Sequence, residues 1–329
     1  MRILYIYRHP DMGFSIGKVF KPIEEEMKKY AEVDSIYLPV PNYSPKGLWR
    51  NIMAAKQAVK AKQYDIVHIT GAEYYLIPFL YNQRVVVTVH DLGFYTNHKG
   101  SIRACWKFMG WVFPLKLADR VTFISEKSMQ EAKSLIHLRE DRLKVIHDAV
   151  SPDFVFSSKE PNKEHPVILH IGTKPNKNLD NTILALKGTN YRLRIIGRLT
   201  DRQESLLKQC DIDYSVVENL TDEQIREEYR NCDIVSFPSF YEGFGMPIIE
   251  GQATGRPVLT SQLPPMTEVA RDSVVYVNPS DVGSIMNGFH KILNNWHEIV
   301  DAGLKNVKRF SVRKITGEYL QLYENFLSH

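Results

Sequence analysis

Strand-like and helix-like segments alternate along the whole chain, and this alternation restricts the fold more than any other feature of the sequence. Short apolar segments such as Arg2–Tyr7 and Val167–Ile171 are each followed by a longer amphipathic segment. Parallel strands need long crossover connections, which are usually helices, whereas antiparallel strands do not. The sequence therefore predicts an α/β protein built on doubly wound parallel sheets, with helices on both faces.

Two domains follow from the length and from the point where the alternation is interrupted. The 329 residues correspond to about two domains, and the segment 151–166 between the halves is polar and charged, with three prolines. We expect an N-terminal domain over 1–155, a C-terminal domain over 156–311, and a final amphipathic helix within 312–329. The predicted strands are Arg2–Tyr7, Val33–Leu38, Asp65–Ile69, Arg84–His90, Arg120–Ile124 and Leu143–Ile146, then Val167–Ile171, Arg192–Ile196, Ser215–Val217, Asp233–Phe237, Val258–Thr260 and Val274–Val277.

The composition is that of an ordinary enzyme. Apolar residues make up 43% of the chain, but the longest apolar stretches, such as Tyr74–Tyr81, are less than half the roughly 20 residues that span a membrane. The three cysteines are far apart and form no CxxC pair, so neither a disulfide framework nor a zinc site is predicted. The first residues form a predicted strand rather than a signal peptide, which predicts a cytoplasmic protein.

The segment 237–250 combines glycines, acids and a helix start. It follows the predicted buried strand Cys232–Phe237, after which Gly243 and Gly245 form a flexible turn. Pro247 suits the first helical position, where its missing N–H is not needed. A glycine turn that enters a helix presents backbone N–H groups and the positive end of the helix dipole, which together favour a phosphate.

Two acids flank this turn, and carboxylates accept hydrogen bonds from hydroxyl groups rather than bind phosphates. Glu242 precedes the glycines and Glu250 lies in the first turns of the helix, so both can reach the same ligand. A ligand that offers phosphates to the helix start and diols to the acids is a nucleotide sugar. The alternative is a strand–loop–helix connection with two surface acids.

The same segment resembles the Glu-x7-Glu motif of the retaining glycosyltransferases of family 4, including its Glu-Gly-Phe-Gly-x-Pro core. The resemblance implies that Glu242 lies at the donor sugar, that Glu250 holds the ribose diol, and that Gly243, Phe244 and Gly245 line the nucleotide site. It also implies the GT-B architecture, in which two Rossmann-like domains face each other across a cleft. The last helix of such proteins commonly returns to the first domain, and we expect the same here.

A second segment, His170–Asn178, follows a predicted strand and precedes a helix. Gly172 permits a tight turn close to a ligand, and Lys174 and Lys177 add positive charge. The segment resembles the strand–glycine–loop–Lys-Asn region of the same family, which implies that Lys177 contacts the donor diphosphate. Many relatives carry Arg or Lys where this chain has Asn176, and Lys174 is the candidate substitute. The alternative is a solvated loop with Asn178 as a helix cap.

In the first domain the segment Val85–Leu92 predicts a strand that ends in His90 and an acid. Its Val-His-Asp-Leu sequence resembles the family segment that carries a histidine in the cleft, which implies that His90 approaches the donor sugar from the acceptor side. The alternative is a packed histidine beside a capping aspartate. Gly13 and Gly17 form a GxxxG turn after the first strand rather than the dinucleotide fingerprint. In related enzymes this loop borders the acceptor and the donor phosphates, although Gly17 also suits helix packing.

No cofactor and no metal are expected. Asp211 and Asp213 form an Asp-x-Asp pair, a pattern that holds metal ions in the other large glycosyltransferase fold. The pair lies in a polar turn before a short strand and is common by chance, so we predict a metal-independent enzyme. A lysine and a helix terminus supply the charge that a diphosphate leaving group needs.

The acceptor is the part that the sequence predicts least. Segments 44–64 and 97–120 are basic and interleave aromatic side chains with the charges. Such segments favour an anionic membrane surface, which would suit a lipid-linked glycan acceptor at the inner membrane face. The alternative is that the aromatics belong to the core and the basic residues to a solvated face. No nucleic-acid-binding module accompanies these residues, so no nucleic-acid partner is predicted.

The prediction is therefore a retaining, metal-independent hexosyltransferase that moves a sugar from a nucleoside diphosphate to a glycan or lipid-linked glycan, as in bacterial polysaccharide biosynthesis. Two alternatives stay open at this point. One is a sugar-nucleotide epimerase of the same fold, and the other is a non-catalytic protein that binds nucleotide sugars.

Overall fold

The computed structural model describes residues 1–12, 15–92 and 106–328. The chain divides into two compact units, and the first is made of two separate stretches of sequence, Met1–Ser151 and Ser311–His329. The second unit is Pro152–Phe310. The sequence placed the two divisions at 155/156 and 311/312, whereas the structure has them at 151/152 and 310/311.

Among the described residues the first unit contains a six-stranded, all-parallel sheet in the order β2-β1-β3-β4-β5-β6. Its strands are β1 (Arg2–Tyr7), β2 (Glu32–Tyr37), β3 (Ile66–Ile69), β4 (Val85–Val89), β5 (Arg120–Phe123) and β6 (Leu143–Val145). Its helices are α1 (Ser15–Met27), α2 (Pro45–Ala61) and α3 (Glu126–Leu135), with 3₁₀ helices at Pro10–Met12, Tyr74–Phe79, Phe113–Leu117 and Glu140–Arg142 and a π-helix at Phe108–Val112.

The second unit contains, within the same description, another six-stranded parallel sheet in the order β12-β11-β10-β7-β8-β9. Its strands are β7 (Val167–Ile171), β8 (Arg192–Ile196), β9 (Asp213–Val217), β10 (Ile234–Phe237), β11 (Val258–Ser261) and β12 (Val275–Val277). Its helices are α4 (Leu179–Leu186), α5 (Asp201–Gln209), α6 (Asp222–Asn231), α7 (Met246–Thr254), α8 (Met266–Ala270), α9 (Val282–Asn294) and α10 (Trp296–Val307), with 3₁₀ turns at Pro175–Lys177 and Lys308–Phe310.

All twelve predicted strands are present, and the predicted α/β class with two doubly wound parallel sheets is confirmed. The interior strands are covered on both faces, which explains why they read as continuous apolar runs such as β4 and β10. The predicted ends are wrong by one to three residues in several places. For example, β9 begins at Asp213 rather than Ser215, and α1 covers Ser15–Met27 rather than 17–30.

The last helix, α11 (Val312–Leu327), packs on the first unit. Its buried residues follow a helical spacing, so that one stripe faces the sheet: Ile315, Thr316, Tyr319, Leu322 and Tyr323. The Tyr323 hydroxyl is 2.6 Å from Nδ1 of His68 in β3, and the Tyr319 hydroxyl is 3.2 Å from Oγ1 of Thr88 in β4. These buried hydrogen bonds tie α11 to neighbouring strands by specific partners as well as by apolar contact.

Candidate active site

The point where the strand order reverses fixes where the second unit can bind a ligand. Its first strand, β7, pairs with β8 on one side and with β10 on the other. The later strands are therefore added outward from β7 in both directions, and the order reverses between β7 and β10. In doubly wound sheets ligands bind at the carboxyl ends of the strands at such a switch point. The loops that follow β7 and β10 are residues 172–178 and 238–245, which are the two segments that the sequence singled out.

Hydrogen bonds of Asn176 and Asn178 hold these two loops together. The backbone N–H of Phe240 donates to the carbonyl of Asn176 at 2.8 Å, and the Asn176 amide donates back to the carbonyl of Tyr241 at 3.0 Å. The buried Asn178 amide donates to the carbonyl of Pro238 at 2.9 Å. The alternative interpretation, in which the Asn178 side chain caps α4, is therefore wrong. The side chain joins the two loops instead.

Lys177 and Glu242 meet across the joined loops. The Lys177 ammonium donates to Oε1 of Glu242 at 2.7 Å, and both side chains are largely buried. The stem of Lys177 lies against Gly172, where an added Cβ would be 2.9 Å from Lys177 Cγ. Gly172 also has a φ of +90°, so the position requires glycine for both backbone conformation and space.

The turn before α7 places a helix start beside this ion pair. Gly245 precedes the helix with a φ of +127°, a conformation that glycine adopts readily. The helix begins at Met246, so the prediction that Pro247 occupies the first helical position is wrong by one residue. Phe244 is buried and packs edge-on against Phe310 with ring centroids 5.7 Å apart. It therefore anchors the turn, while the half-buried Gly243 lies between it and Glu242.

Glu250 lies one turn into α7 and is half-buried. The hydroxyl of Tyr229, from α6, donates to Oε2 of Glu250 at 2.5 Å. Tyr229 is fully buried, and both its burial and the neighbouring Glu250 carboxylate raise the pKa of its hydroxyl, which therefore remains a donor. The sequence did not single out Tyr229, because nothing in its surroundings marks it as different from a core aromatic residue.

Lys174 and His170 complete the surroundings of Lys177. Lys174 is exposed at the start of the Pro175–Lys177 turn. His170 is buried at the end of β7, and burial together with the charge of Lys177 lowers its pKa to about 3. The imidazole is therefore neutral, and the positive charge of this loop comes from its lysines.

His90 belongs to the first unit and follows β4. Its Nε2 is 2.9 Å from the carbonyl oxygen of Thr70, and because a carbonyl only accepts, Nε2 carries the proton. Its Nδ1 is 3.9 Å from Oδ1 of Asp148, whose pKa burial raises to about 6 while the charge of His90 acts in the opposite direction. The residue lies at the carboxyl end of a parallel strand, as predicted, with both ring nitrogens close to polar groups.

The two predicted loop glycines of the first unit have different outcomes. Gly13 lies outside the described residues. Gly17 is in α1, and a Cβ added there would meet no heavy atom of the described residues within 4 Å. Helix packing therefore does not require glycine at this position.

The two acids of the Asp-x-Asp pair lie in different local structures, Asp211 in a turn and Asp213 at the start of β9. Asp211 has a φ of +53°, and Asp213 opens β9 with its carboxylate 4.0 Å from the Arg192 guanidinium. In the described part of the chain no group of three or more His, Cys, Asp or Glu side chains is arranged to hold a metal ion.

Two family models account for most of the chain. The model described as Glycosyltransferase Family 4 matches residues 19–154, and the one described as Glycosyl transferases group 1 matches residues 153–309. Together they show a glycosyltransferase of the family 4 type. This confirms the family that the Glu-x7-Glu segment indicated, and it establishes the protein as a glycosyltransferase enzyme.

Relatives and solved structures agree with this assignment. The chain is 27% identical to the O-antigen chain mannosyltransferase B of Escherichia coli, over 84% of this chain and 79% of that protein. It is 22% identical to a GDP-mannose:cellobiosyl-diphosphopolyprenol alpha-mannosyltransferase of Xanthomonas oryzae, over 88% and 82%. The sucrose-phosphate synthase of Thermosynechococcus elongatus superimposes with a TM-score of 0.80 at 18% identity, over 100% of this chain and 99% of that one. This structural match supports the GT-B fold.

The basic segments of the first unit have mixed burial. No helix within the described residues is long and apolar enough to cross a membrane. Ile52 is buried, and Phe108 and Trp111 pack partly against the core, as the alternative interpretation had it. Other apolar side chains of the same segments are strongly exposed: Trp49 (61%), Met53 (45%), Trp106 (75%) and Met109 (54%). Residues 97–105 of the second segment lie outside the described part of the chain.

Proposed function

We propose that the enzyme transfers a hexose from a nucleoside-diphosphate sugar to a hydroxyl group of a glycan or lipid-linked glycan, with retention of the anomeric configuration. The observation that carries this proposal is the meeting of Lys177 and Glu242 at the β7/β10 switch point, beside the start of α7. Two named relatives are mannosyltransferases, and GDP-mannose is therefore the donor to test first.

The proposed donor orientation follows from charge. The diphosphate lies against Lys177 and the backbone N–H groups at the start of α7, with Lys174 as a further cation. Glu250, oriented by Tyr229, accepts from the ribose hydroxyls, and Glu242 accepts from hydroxyls of the sugar. When the donor is absent Lys177 and Glu242 neutralise each other, so binding exchanges one ion pair for a lysine–phosphate and a carboxylate–hydroxyl contact.

The proposed reaction breaks the bond between the sugar C1 and the phosphate oxygen and forms a bond from C1 to the acceptor oxygen on the same face. The acceptor proton passes to the departing phosphate oxygen, so no protein carboxylate need act as a nucleophile. Positive charge that faces the diphosphate stabilises it as it leaves, and one such group is typically worth about 100- to 1,000-fold in rate. In this proposal His90 lies on the acceptor side of the sugar, and no metal takes part.

A thermal-shift panel tests the donor site. GDP, UDP, ADP and CMP and their sugars are compared on wild type and Glu250→Ala. A ligand at about 100 times its dissociation constant stabilises a protein by roughly 2.7 kcal/mol. We expect stabilisation by one base that Glu250→Ala abolishes, with GDP as the favoured base. No stabilisation by any nucleotide would contradict the assigned donor site.

Glu242→Gln separates catalysis from binding. We expect turnover to fall roughly 100-fold or more while nucleotide affinity is kept or increased, because Lys177 loses its intramolecular partner. Equal losses of turnover and of nucleotide affinity would contradict the role of Glu242.

The anomeric configuration of the product, read by NMR, tests retention directly. Product formed from the donor without any acceptor would instead indicate an epimerase.

We further propose that the exposed apolar side chains of segments 44–64 and 106–120 touch an anionic membrane at which a lipid-linked acceptor is presented. Lys46, Arg50 and Lys116 are exposed in the same segments, whereas Lys62 is paired with Asp34 at 2.8 Å. Both segments pack against the 3₁₀ helix Tyr74–Phe79. Such surfaces combine apolar insertion with attraction to anionic lipid.

Vesicle co-sedimentation tests this surface. We expect binding to phosphatidylglycerol vesicles, weaker binding to phosphatidylcholine vesicles, and a loss of both in a Trp49→Ser/Trp106→Ser variant. Equal recovery of the wild type and the double variant from phosphatidylglycerol vesicles would contradict the proposal.

A further inference from the structure

The first unit has its own switch point, at the β1/β3 pair. Its strand order places β2 on one side of β1 and β3 on the other, so the same rule that located the donor loops predicts a ligand site at the carboxyl ends of these strands. The segment that follows β3 is 70–73, and it ends in Glu73, immediately before the 3₁₀ helix Tyr74–Phe79.

Glu73 is an unusual residue at this edge. It is 1% exposed, and its Oε2 has no hydrogen-bond partner in the described structure. Buried polar atoms in proteins are nearly always hydrogen-bonded, so an unpaired carboxylate oxygen requires a physical cause. The preceding residue, Ala72, has a φ of +27°. Backbone strain of this kind, which costs about 1–3 kcal/mol, is found mostly at functional sites.

Hydroxyl groups and aromatic rings surround the rest of this carboxylate. The Tyr43 hydroxyl donates to Oε1 at 3.2 Å. The Tyr75 hydroxyl accepts from the Asn51 amide at 3.1 Å. The Trp111 ring lies edge-on to Tyr43, with centroids 4.9 Å apart, and 5.6 Å from the Tyr75 ring.

These surroundings favour one class of ligand. The unpaired Oε2 requires a partner that donates a hydrogen bond, and no cluster that could hold a metal is found among the described residues. A neutral ligand that donates a hydroxyl to Oε2 and lays an apolar face on the aromatic rings satisfies both features. Sites lined by aromatic rings with a few placed polar groups are typical for small polar ligands of this kind. Tyr43 is 41% exposed, so such a ligand would approach Glu73 along its ring.

We propose that Glu73, with Tyr43 and Trp111, forms a carbohydrate subsite in which Oε2 of Glu73 accepts a hydrogen bond from a hydroxyl group of the acceptor glycan. The assignment of the sugar as acceptor rests on the proposed transferase function. The subsite itself does not, because it stands on the unpaired oxygen, the switch point and the three rings.

The test compares Glu73→Gln with a matched buried acid of the same unit. Glu24 is 2% exposed, but both of its oxygens are satisfied, by Tyr7 and Lys21 on one and Ser35 on the other. Glu24→Gln therefore removes a buried carboxylate without touching the proposed subsite. Tyr43→Phe is a second probe, because it removes the hydroxyl that holds Oε1 and keeps the ring.

The ligands are the methyl α-glycosides of mannose, glucose, galactose and N-acetylglucosamine, and binding is read by saturation-transfer NMR. We expect at least one glycoside to bind the wild type and Glu24→Gln alike. The assay is run at pH 8, where the Glu73 carboxyl, whose pKa is about 7, is ionised. The affinity should fall at least about tenfold in Glu73→Gln, the loss typical for a hydrogen bond to a charged group, and by less in Tyr43→Phe. Nucleotide-induced thermal stabilisation should be the same in all four proteins.

Two results would overturn the subsite. One is equal glycoside affinity for wild type and Glu73→Gln, and the other is the absence of binding by any glycoside to the wild type. If nucleotides fail to stabilise every variant while glycoside binding still depends on Glu73, the donor proposal fails and the carbohydrate subsite stands.

Discussion

Replacing Glu73 with glutamine should make the protein more stable at neutral and alkaline pH. Burial raises the pKa of this carboxyl to about 7, against the opposing hydrogen bonds of Tyr75 and Tyr43 and the positive charge of Arg8. A raised pKa means that the folded state holds its proton over a range in which the unfolded chain has already lost it. Stability is therefore greatest below the unfolded pKa, near 4.5, and is lost as the pH rises toward 7.

The size of the effect follows from the shift. A change from 4.5 to about 7 corresponds to about 3 kcal/mol, since each pKa unit is worth 1.36 kcal/mol. Glutamine has nearly the same shape and no ionisation, so Glu73→Gln removes this loss. For a unit of this size each kcal/mol shifts the melting temperature by about 2–4 °C. The advantage of the variant over the wild type should therefore grow by about 6–12 °C between pH 4.5 and pH 8.

The assay is thermal unfolding of wild type and Glu73→Gln at half-unit steps from pH 4.5 to pH 8. Taking the difference between the two proteins at each pH cancels the titration of all other groups. A constant difference across this range would refute the reasoning, because it would mean that the carboxyl titrates alike in the folded and unfolded states.

Glu24→Gln provides the opposite sign in the same unit. Burial alone would raise the pKa of Glu24, but Lys21, Tyr7 and Ser35 together hold it below its usual value. The folded carboxylate therefore adds stability above its unfolded pKa, and this contribution is lost as the pH falls through the folded pKa. Glu24→Gln should destabilise the protein at pH 7, and less so in acid.

Three further predictions concern the core and the donor loops. Tyr323→Phe leaves Nδ1 of the buried His68 without its 2.6 Å partner and should cost about 1–3 kcal/mol in thermal or urea unfolding. An unchanged midpoint would mean that this hydrogen bond does not stabilise the packing of α11. Gly172→Ala should weaken nucleotide binding, because its Cβ collides with the lysine stem. Gly188→Ala is the control: φ is +76° and no described atom lies within 4 Å of the added Cβ, so it should cost about 1–2 kcal/mol of stability and leave binding intact. Tyr229→Phe should reduce the preference for ribonucleotides over 2′-deoxyribonucleotides by roughly five- to tenfold, and an unchanged preference would contradict its role in orienting the ribose-binding acid.

The strands and the fold class could be predicted because burial on both faces of a parallel sheet leaves a direct record in the sequence. An uninterrupted apolar run such as Val85–Val89, short and rich in β-branched residues, is typical of a strand that is covered on both faces. The ends were less predictable. The helix after Gly245 begins at Met246 because the glycine conformation, rather than the proline, sets the start.

The donor residues were predictable to a different degree. Glu242 and Lys177 could be singled out from their segments, but their contact depends on β7 pairing with β10. Strand order is a property of the whole sheet and has no local sequence signal. Asn176 shows the consequence, because its amide joins the loops, whereas the sequence suggested only a missing cation.

Glu73 was beyond the reach of the sequence. It lies in an apolar stretch, and the residues that contact it or the adjacent Tyr75 come from separate segments: Tyr43, Asn51 and Trp111. In the sequence alone, a single acid in such a stretch looks the same as a solvent-exposed acid at the end of a loop. Only the fold shows that Glu73 is buried. The unpaired oxygen, which carries the inference, is visible only in three dimensions.

The return of α11 to the first unit has a consequence for how the protein is made. Translation at roughly 5–20 residues per second means that about 10–30 s pass between the emergence of Ser151 and that of Ser311, while the whole second unit is synthesised. During that interval the sheet of the first unit lacks the stripe of α11 that covers His68 and Thr88. The nascent chain thus carries an incomplete first unit for many seconds, a time window in which chaperone binding would be most useful.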